Sequence, residues 1–139
     1  MQNHRILVTG SEGLIGTELS KKLEERKINV IGYDIKNGQN ILDIQSLEKI
    51  ICDVQGVVHL AAVSRVVAGY NDPYVAVLTN VIETTNILET IRRKNPSCWM
   101  IFGSSREVYG EAGSIVKESD PQKPINVYGA AKSAAEYLS

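Results

Sequence analysis

Three glycines at G-x-x-G-x-x-G spacing, Gly10, Gly13 and Gly16 in TGSEGLIG, constrain this chain more than any other feature. They separate the β-branched run Arg5–Thr9 (RILVT) from Leu14–Arg26, where Ile15, Leu19 and Leu23 recur four apart and Lys21, Lys22, Glu24 and Glu25 fall away from that stripe. A buried strand, a tight turn and an amphipathic helix are predicted in that order. Backbone N–H groups at a helix N-terminus bind pyrophosphate well, and glycine lets ligand and strand approach closely. The glycines alone would mean no more than a tight turn. The strand before them and the helix after them make the dinucleotide reading specific.

The rest of the chain keeps the alternation of short apolar runs and longer amphipathic stretches that builds βαβ units and a parallel sheet. Ile28–Tyr33 is predicted as the second strand, and Ile41–Ile44 as a brief third. Ser46 then caps a short helix through Ile51, and Val57–Ala61 is the fourth strand. Asp72-Pro73 marks a helix start with Asp as N-cap. Val75, Leu78, Ile82, Leu88 and Ile91 form its apolar side, and Asn95-Pro96 ends it. Cys98–Phe102 is the fifth strand, Gly110–Pro124 a loop, and a last helix starts near Val127. His59, in an apolar strand, reads as a satisfied core residue.

Asp34 lies at the tip of the second strand, 18 residues past Gly16. A carboxylate there accepts hydrogen bonds from an adenosine ribose and repels a 2′-phosphate. Ser11 and Glu12 supply no positive charge for that phosphate, so NAD is favoured over NADP. The alternative is a plain surface aspartate. Lys+Arg number 15 against 16 Asp+Glu, a net charge of −1, which offers no electrostatic reason to expect nucleic acid or an anionic membrane as partner. No apolar run approaches the roughly 18–20 residues of a spanning helix. The apolar stretch between Arg5 and Thr9 is too short for a signal peptide. Cys52 and Cys98 are too few for a disulfide framework and read as reduced thiols. A cytoplasmic setting and no metal site are expected.

Seven segments in order, TGSEGLIG, YD (Tyr33-Asp34), LDI (Leu42–Ile44), HLAA (His59–Ala62), TNVIETTN (Thr79–Asn86), GSSREVYG (Gly103–Gly110) and YGAAK (Tyr128–Lys132), make the chain similar to the extended short-chain dehydrogenase/reductases. Within them it resembles the NAD-dependent epimerase/dehydratase family, of the nucleotide-sugar epimerase type. The resemblance implies an α/β fold, a Rossmann-type doubly wound parallel sheet of strand order 3-2-1-4-5. It implies NAD as cofactor, held by Gly10, Gly13, Leu14, Ile15, Gly16 and Asp34. Asp43 and Ile44 would contact the adenine, although Asp43 also reads as a helix cap. Leu60, Ala61 and Ala62 would line the cofactor, and Asn80 would support the site from the long helix.

Catalysis would rest on Ser105, Tyr128 and Lys132. Tyr128 and Lys132 are four apart and share one helix face. Tyrosine is a poor base at neutral pH, and a nearby ammonium and the charged nicotinamide both favour its phenolate. Lys132 would also hold the nicotinamide ribose, and Ser105 the sugar oxygen. Arg106 stands where sugar dehydratases of this family carry an acid, and arginine cannot donate a proton to a leaving group. The leading expectation is epimerisation by transient C4 oxidation. Reductase, dehydratase and a non-catalytic NAD-binding fragment stay open.

The motifs from glycine turn to Tyr-x-x-x-Lys fill residues 1–139, so the chain reads as an incomplete NAD-binding Rossmann domain. The implied missing parts are the last strands and the C-terminal substrate domain that binds the nucleotide sugar. The full-length protein would be a homodimer, and the chain alone inactive. The fifth strand would be left with an unpaired edge, which invites self-association.

Overall fold

The computed structural model describes residues 4–111, 113 and 115–139. Its elements in chain order are β1 (Arg5–Thr9), α1 (Leu14–Glu25), β2 (Asn29–Tyr33), α2 (Ile44–Ile51), β3 (Gly56–His59), α3 (Val66–Asn71), α4 (Pro73–Val77), α5 (Glu83–Lys94), β4 (Trp99–Phe102) and α6 (Val127–Leu138). The chain divides into two compact units, one of residues up to Ala61 with Asn86–Gly103, the other of Ala62–Thr85 with Ser104–Ser139.

The first unit is built on a parallel sheet of order β2-β1-β3-β4. Val8 of β1 lies opposite Gly32 on one side and Val58 on the other. Because side chains alternate across a strand, β1 feeds two cores. Leu7 packs with Val57, with Leu47 and Ile51 of α2 and with Ile87 and Ile91 of α5, whereas Ile6 and Val8 pack with Val58 against Leu19 and Leu23 of α1. A parallel sheet covered on both faces is the doubly wound, Rossmann-like arrangement. The α1 stripe begins one turn later than its spacing suggests: Ile15 is 67% exposed, and Gly16 is the buried residue of that turn.

The brief strand expected at Ile41–Ile44 does not form. Short polar side chains turn the backbone there instead. Asn40 Oδ1 accepts from the Leu42 N–H at 2.8 Å, and Asp43 Oδ1 accepts from the Ser46 N–H at 3.2 Å. Asp43 is therefore the N-cap of α2, and Ser46 is its partner, donating its hydroxyl to Asp43 Oδ2 at 2.6 Å. These bonds hold the Asp43 carboxyl below its usual range. The expected order 3-2-1-4-5 is realised as its 2-1-4-5 part. Among the described residues β4 is a terminal strand, with Trp99 and Ile101 exposed.

In the second unit α4 starts as expected, with Asp72 Oδ1 accepting from the Val75 N–H at 3.0 Å and Pro73 in the first turn. The short helix α3 before it was not signalled by periodicity. A wide π turn, Leu78–Ile82, follows α4 and changes which side chains face inward. Ala76, Asn80 and Thr84 are buried, while Val75 and Ile82, expected on the apolar side, are exposed. Gly110 starts the long loop with φ +64, and a Cβ there would lie 2.1 Å from the Lys123 carbonyl oxygen. Ala112 and Ser114 of that loop lie outside the described residues.

Glu83 enters α5 half-buried, and burial pushes its carboxyl from 4.5 up to about 7. A carboxyl raised in the folded state binds more protons there than in the unfolded chain, so stability falls as pH rises from 4.5 through about 7. Glu83→Gln should stabilise the chain at pH 8 and leave it nearly unchanged at pH 4, measured by urea unfolding at both values.

Candidate functional site

In the first unit the glycine turn is set by close backbone approach. Gly10 adopts φ +70, and a Cβ there would come within 2.7 Å of the Ala61 nitrogen. A Cβ on Gly16 would sit 2.1 Å from the Gly10 carbonyl oxygen. The Gly13 N–H donates to that same oxygen at 3.0 Å, and the Gly10 N–H to the Tyr33 carbonyl at 2.9 Å. Gly13 is the N-cap of the twelve-residue α1, and no side chain caps it. The N–H groups of the first turn, at Leu14 and Ile15, thus have no intrahelical partner. Leu14 is 89% exposed.

Asp34 closes β2, buried beside this turn. Its Oδ2 accepts from the Glu12 N–H and its Oδ1 from the Lys36 N–H, both at 2.9 Å. Each oxygen keeps a second lone pair, since an ionised carboxylate offers about four acceptor sites. The Lys36 ammonium donates to the Glu12 carbonyl at 2.9 Å, and Asn37 Nδ2 to Glu12 Oε1 at 3.1 Å. A positive charge does therefore stand at the turn, from a residue beyond Asp34 and not from Ser11 or Glu12. Ile44 is the first residue of α2, behind the Asp43 cap. Leu60 and Ala61 follow β3, half-buried, and their N–H groups donate to Thr9 Oγ1 at 3.2 Å each. The Thr9 hydroxyl and His59 Nδ1 share a hydrogen bond of 2.6 Å. His59 is fully buried and its ring meets Phe102 at 5.8 Å between centroids. It is a core residue.

The second unit holds Ala62, half-buried at its start, together with Asn80, Ser105, Tyr128 and Lys132. Asn80 is buried in the π turn and spends both ends of its amide on one residue. Its Oδ1 accepts from the Val63 N–H at 2.9 Å, and its Nδ2 donates to the Val63 carbonyl at 3.2 Å. It fixes the segment that follows Ala62.

Ser105 caps the 3₁₀ turn Arg106–Tyr109, its Oγ accepting from the Glu107 N–H at 3.2 Å. That turn lies against α6 because residue 129 has no side chain: a Cβ on Gly129 would be 2.5 Å from the Glu107 carbonyl oxygen. Asn126 caps α6, its Oδ1 accepting from the Gly129 N–H at 2.8 Å, while its Nδ2 donates to Glu107 Oε2 at 2.8 Å. Glu107 is thus engaged in orienting the helix that carries Tyr128.

Tyr128 and Lys132 are both buried, one turn apart on α6. Burial lowers the Lys132 ammonium from 10.5 to about 8, against an opposing pull from the Glu136 carboxylate. Sequence reasoning missed Glu136, although its i,i+4 spacing from Lys132 was a usable signal. Its carboxylate accepts from the Ser104 hydroxyl and from Gln122 Nε2, and Ser133 donates to Gln122 Oε1.

A lysine held below its unfolded value destabilises the fold while charged. The penalty is complete below about pH 8 and disappears as pH rises toward 10.5. Lys132→Met should therefore stabilise the chain at pH 7 by about 2–4 kcal/mol, because each tenfold loss of proton affinity on folding costs ~1.4 kcal/mol. The gain should shrink toward pH 10 in the same denaturant assay. A buried ammonium kept at such a cost points to a task other than stability.

Among the described residues no group of His, Cys, Asp and Glu is arranged to hold a metal ion, and no helix is long and apolar enough to cross a membrane. UDP-glucuronate 4-epimerase 4 of Arabidopsis thaliana is 29% identical over 96% of this chain and 37% of its own length. The structure of UDP-glucose 4-epimerase from Brucella ovis in complex with NAD matches 97% of this chain and 46% of its own, with TM-score 0.90 and 28% identity. That of UDP-glucuronic acid 4-epimerase from Bacillus cereus, in complex with UDP-glucuronic acid and NAD, matches 96% and 50%, with TM-score 0.86 and 28% identity. The chain spans half or less of the length of these relatives. The NAD dependent epimerase/dehydratase family profile matches residues 6–139, essentially all of the sequence, and the chain belongs to that family.

Proposed function

We propose that this chain is the NAD-binding portion of a nucleotide-sugar 4-epimerase and carries its proton-transfer residues. The observation that carries the reading is the buried Tyr128–Lys132 pair on a helix fixed by Asn126 and Glu107. The residues present fit NAD. The first turn of α1 is bare of caps and of acidic side chains, and glycine lets the turn close on its own backbone, since a Cβ on Gly10 would meet the Ala61 nitrogen at 2.7 Å and one on Gly16 the Gly10 carbonyl oxygen at 2.1 Å. Asp34 retains acceptor capacity for a ribose hydroxyl, and Leu14, Ile15, Asp43, Ile44, Leu60, Ala61, Ala62 and Asn80 complete the proposed cofactor set.

NAD held there would supply a hydride acceptor and donor for the sugar C4. Tyr128 accepts the proton of the C4 hydroxyl and gives it back. The Lys132 ammonium favours the ionised phenol, and the Ser105 hydroxyl donates to the sugar oxygen as it becomes a carbonyl. With hydride given back to the opposite face, C4 would be inverted with no net oxidation.

The nucleotide sugar is the substrate, and its specificity resides mainly in the part of the relatives that this chain does not span. The chain by itself is therefore not expected to turn substrate over. A protein of the relatives' length carrying this sequence should interconvert C4 epimers of a UDP-hexose, followed by NMR, without net change in NADH absorbance. Slow interconversion beside rapid net NAD(P)H consumption would assign a reductase instead. Exposed Val67 and Tyr70 of α3, Tyr74 of α4 and Tyr137 of α6 offer apolar helix surface for a homodimer of that longer protein. Sedimentation as a monomer would exclude it.

A further inference from the structure

We propose that Glu136 is a positioning residue for the catalytic lysine: held by Ser104 and Gln122, its carboxylate keeps Lys132 charged inside the fold. The proposal rests on reading Lys132 as the catalytic lysine, and three observations carry it. Glu136 lies one turn beyond Lys132 on α6, so the two side chains rise from the same face. Its two oxygens are both engaged by groups outside the helix, Ser104 Oγ on one and Gln122 Nε2 on the other. Gln122 is in turn fixed by the Ser133 hydroxyl, which donates to its Oε1 from the residue next to Lys132.

These contacts do more than fasten a helix end. Ser104 immediately precedes Ser105, the proposed donor to the sugar oxygen, so one carboxylate ties the segment bearing Ser105 to the helix bearing Tyr128 and Lys132. The burial that strips water from Lys132 disfavours its ammonium, and Glu136 supplies the compensating negative charge. The other ionisable groups on the elements packed against α6 are Glu107, Arg106, Tyr109, Tyr70 and Tyr74. Glu107 is engaged by Asn126 Nδ2 at 2.8 Å. Arg106 carries the wrong sign. Tyr70 of α3 and Tyr74 of α4 are 81% and 76% exposed, and Tyr109 is a phenol of the 3₁₀ turn, not a carboxylate. With the Lys132 midpoint near 8, a modest loss of support leaves much of the lysine neutral at physiological pH.

The test is the titration of Lys132 in the 139-residue chain without cofactor, followed by the NMR shift of its Cε and assigned by the signal missing in Lys132→Met. The wild-type midpoint should lie near 8. Glu136→Gln removes the charge while preserving a hydrogen-bonding group for Ser104 and Gln122, and should lower the midpoint by about half a pH unit or more. Glu136→Asp should restore part of it. A purely structural role would change thermal stability and leave the midpoint in place, so an unchanged or raised midpoint in folded Glu136→Gln overturns the proposal. Should that variant not fold, Ser104→Ala and Gln122→Ala each keep the carboxylate and release one of its holders. A lowered midpoint in both supports the proposal, and an unchanged one in both overturns it. Failure of the chain to bind NAD would refute the functional reading and would not move this midpoint.

Discussion

Gly16→Ala is expected to eliminate NAD binding and to destabilise the chain by about 3 kcal/mol or more, the upper range for forcing an atom into a packed interior. The new Cβ would be placed 2.1 Å from the Gly10 carbonyl oxygen, and both partners are backbone of a turn already fixed on other sides. That oxygen accepts the Gly13 N–H at 3.0 Å, and the Gly10 nitrogen is tied to the Tyr33 carbonyl at 2.9 Å. No side-chain rotation relieves such a contact. Either α1 withdraws from β1, stripping Leu19 and Leu23 from Ile6, Val8 and Val58, or the turn opens and its N–H groups lose their common direction. Urea unfolding measures the first consequence and NAD titration the second. A variant that keeps both wild-type stability and wild-type affinity would show that close approach is not what the glycine provides.

Tyr128→Phe, introduced into a protein of the relatives' length, should lower epimerase turnover by roughly 10²–10⁴-fold, the range expected for loss of a positioned general base. NAD affinity should change little. Tyr128 is buried on α6, its Cβ side against Gly69 of α3, where a Cβ added to the glycine would approach to 3.3 Å. Removing one hydroxyl leaves that packing in place, so circular dichroism and melting temperature should stay near wild type. Turnover within a factor of a few of wild type would remove Tyr128 from the mechanism.

Much of the fold was legible in the sequence where it depends on local pattern. Arg5–Thr9 is β1 as expected, and Leu14–Glu25, Asp72 as cap and Val127 as a helix start differ little from their sequence assignments. Propensity misled at Ile41–Ile44, where β-branched residues suggested a strand. Asn40 and Asp43 hydrogen bonds to neighbouring N–H groups decided the backbone there. The face of the helix beyond Asp72 was misjudged for a different reason. A π turn adds a residue to one turn, and the inward positions are filled by Ala76, Asn80 and Thr84, which no hydrophobic count selects.

The candidate residues Ser105, Tyr128 and Lys132 were legible as motifs, but what supports them was not. Glu136 meets Ser104 across 32 residues of sequence, and Glu107 meets Asn126 across 19. Lys36 reaches Glu12 across 24. Such partners are set by tertiary folding, and of them only the four-residue step from Lys132 to Glu136 left a mark in the sequence.

Isothermal titration of the 139-residue chain with NAD, alongside NADP and with Gly16→Ala as control, is the most direct measurement. Saturable one-site binding of NAD, weaker binding of NADP and loss of both in the control are expected. A folded chain that shows no saturable heat with millimolar NAD, or that binds NADP more tightly than NAD, would contradict the assignment of the glycine turn and Asp34 to NAD.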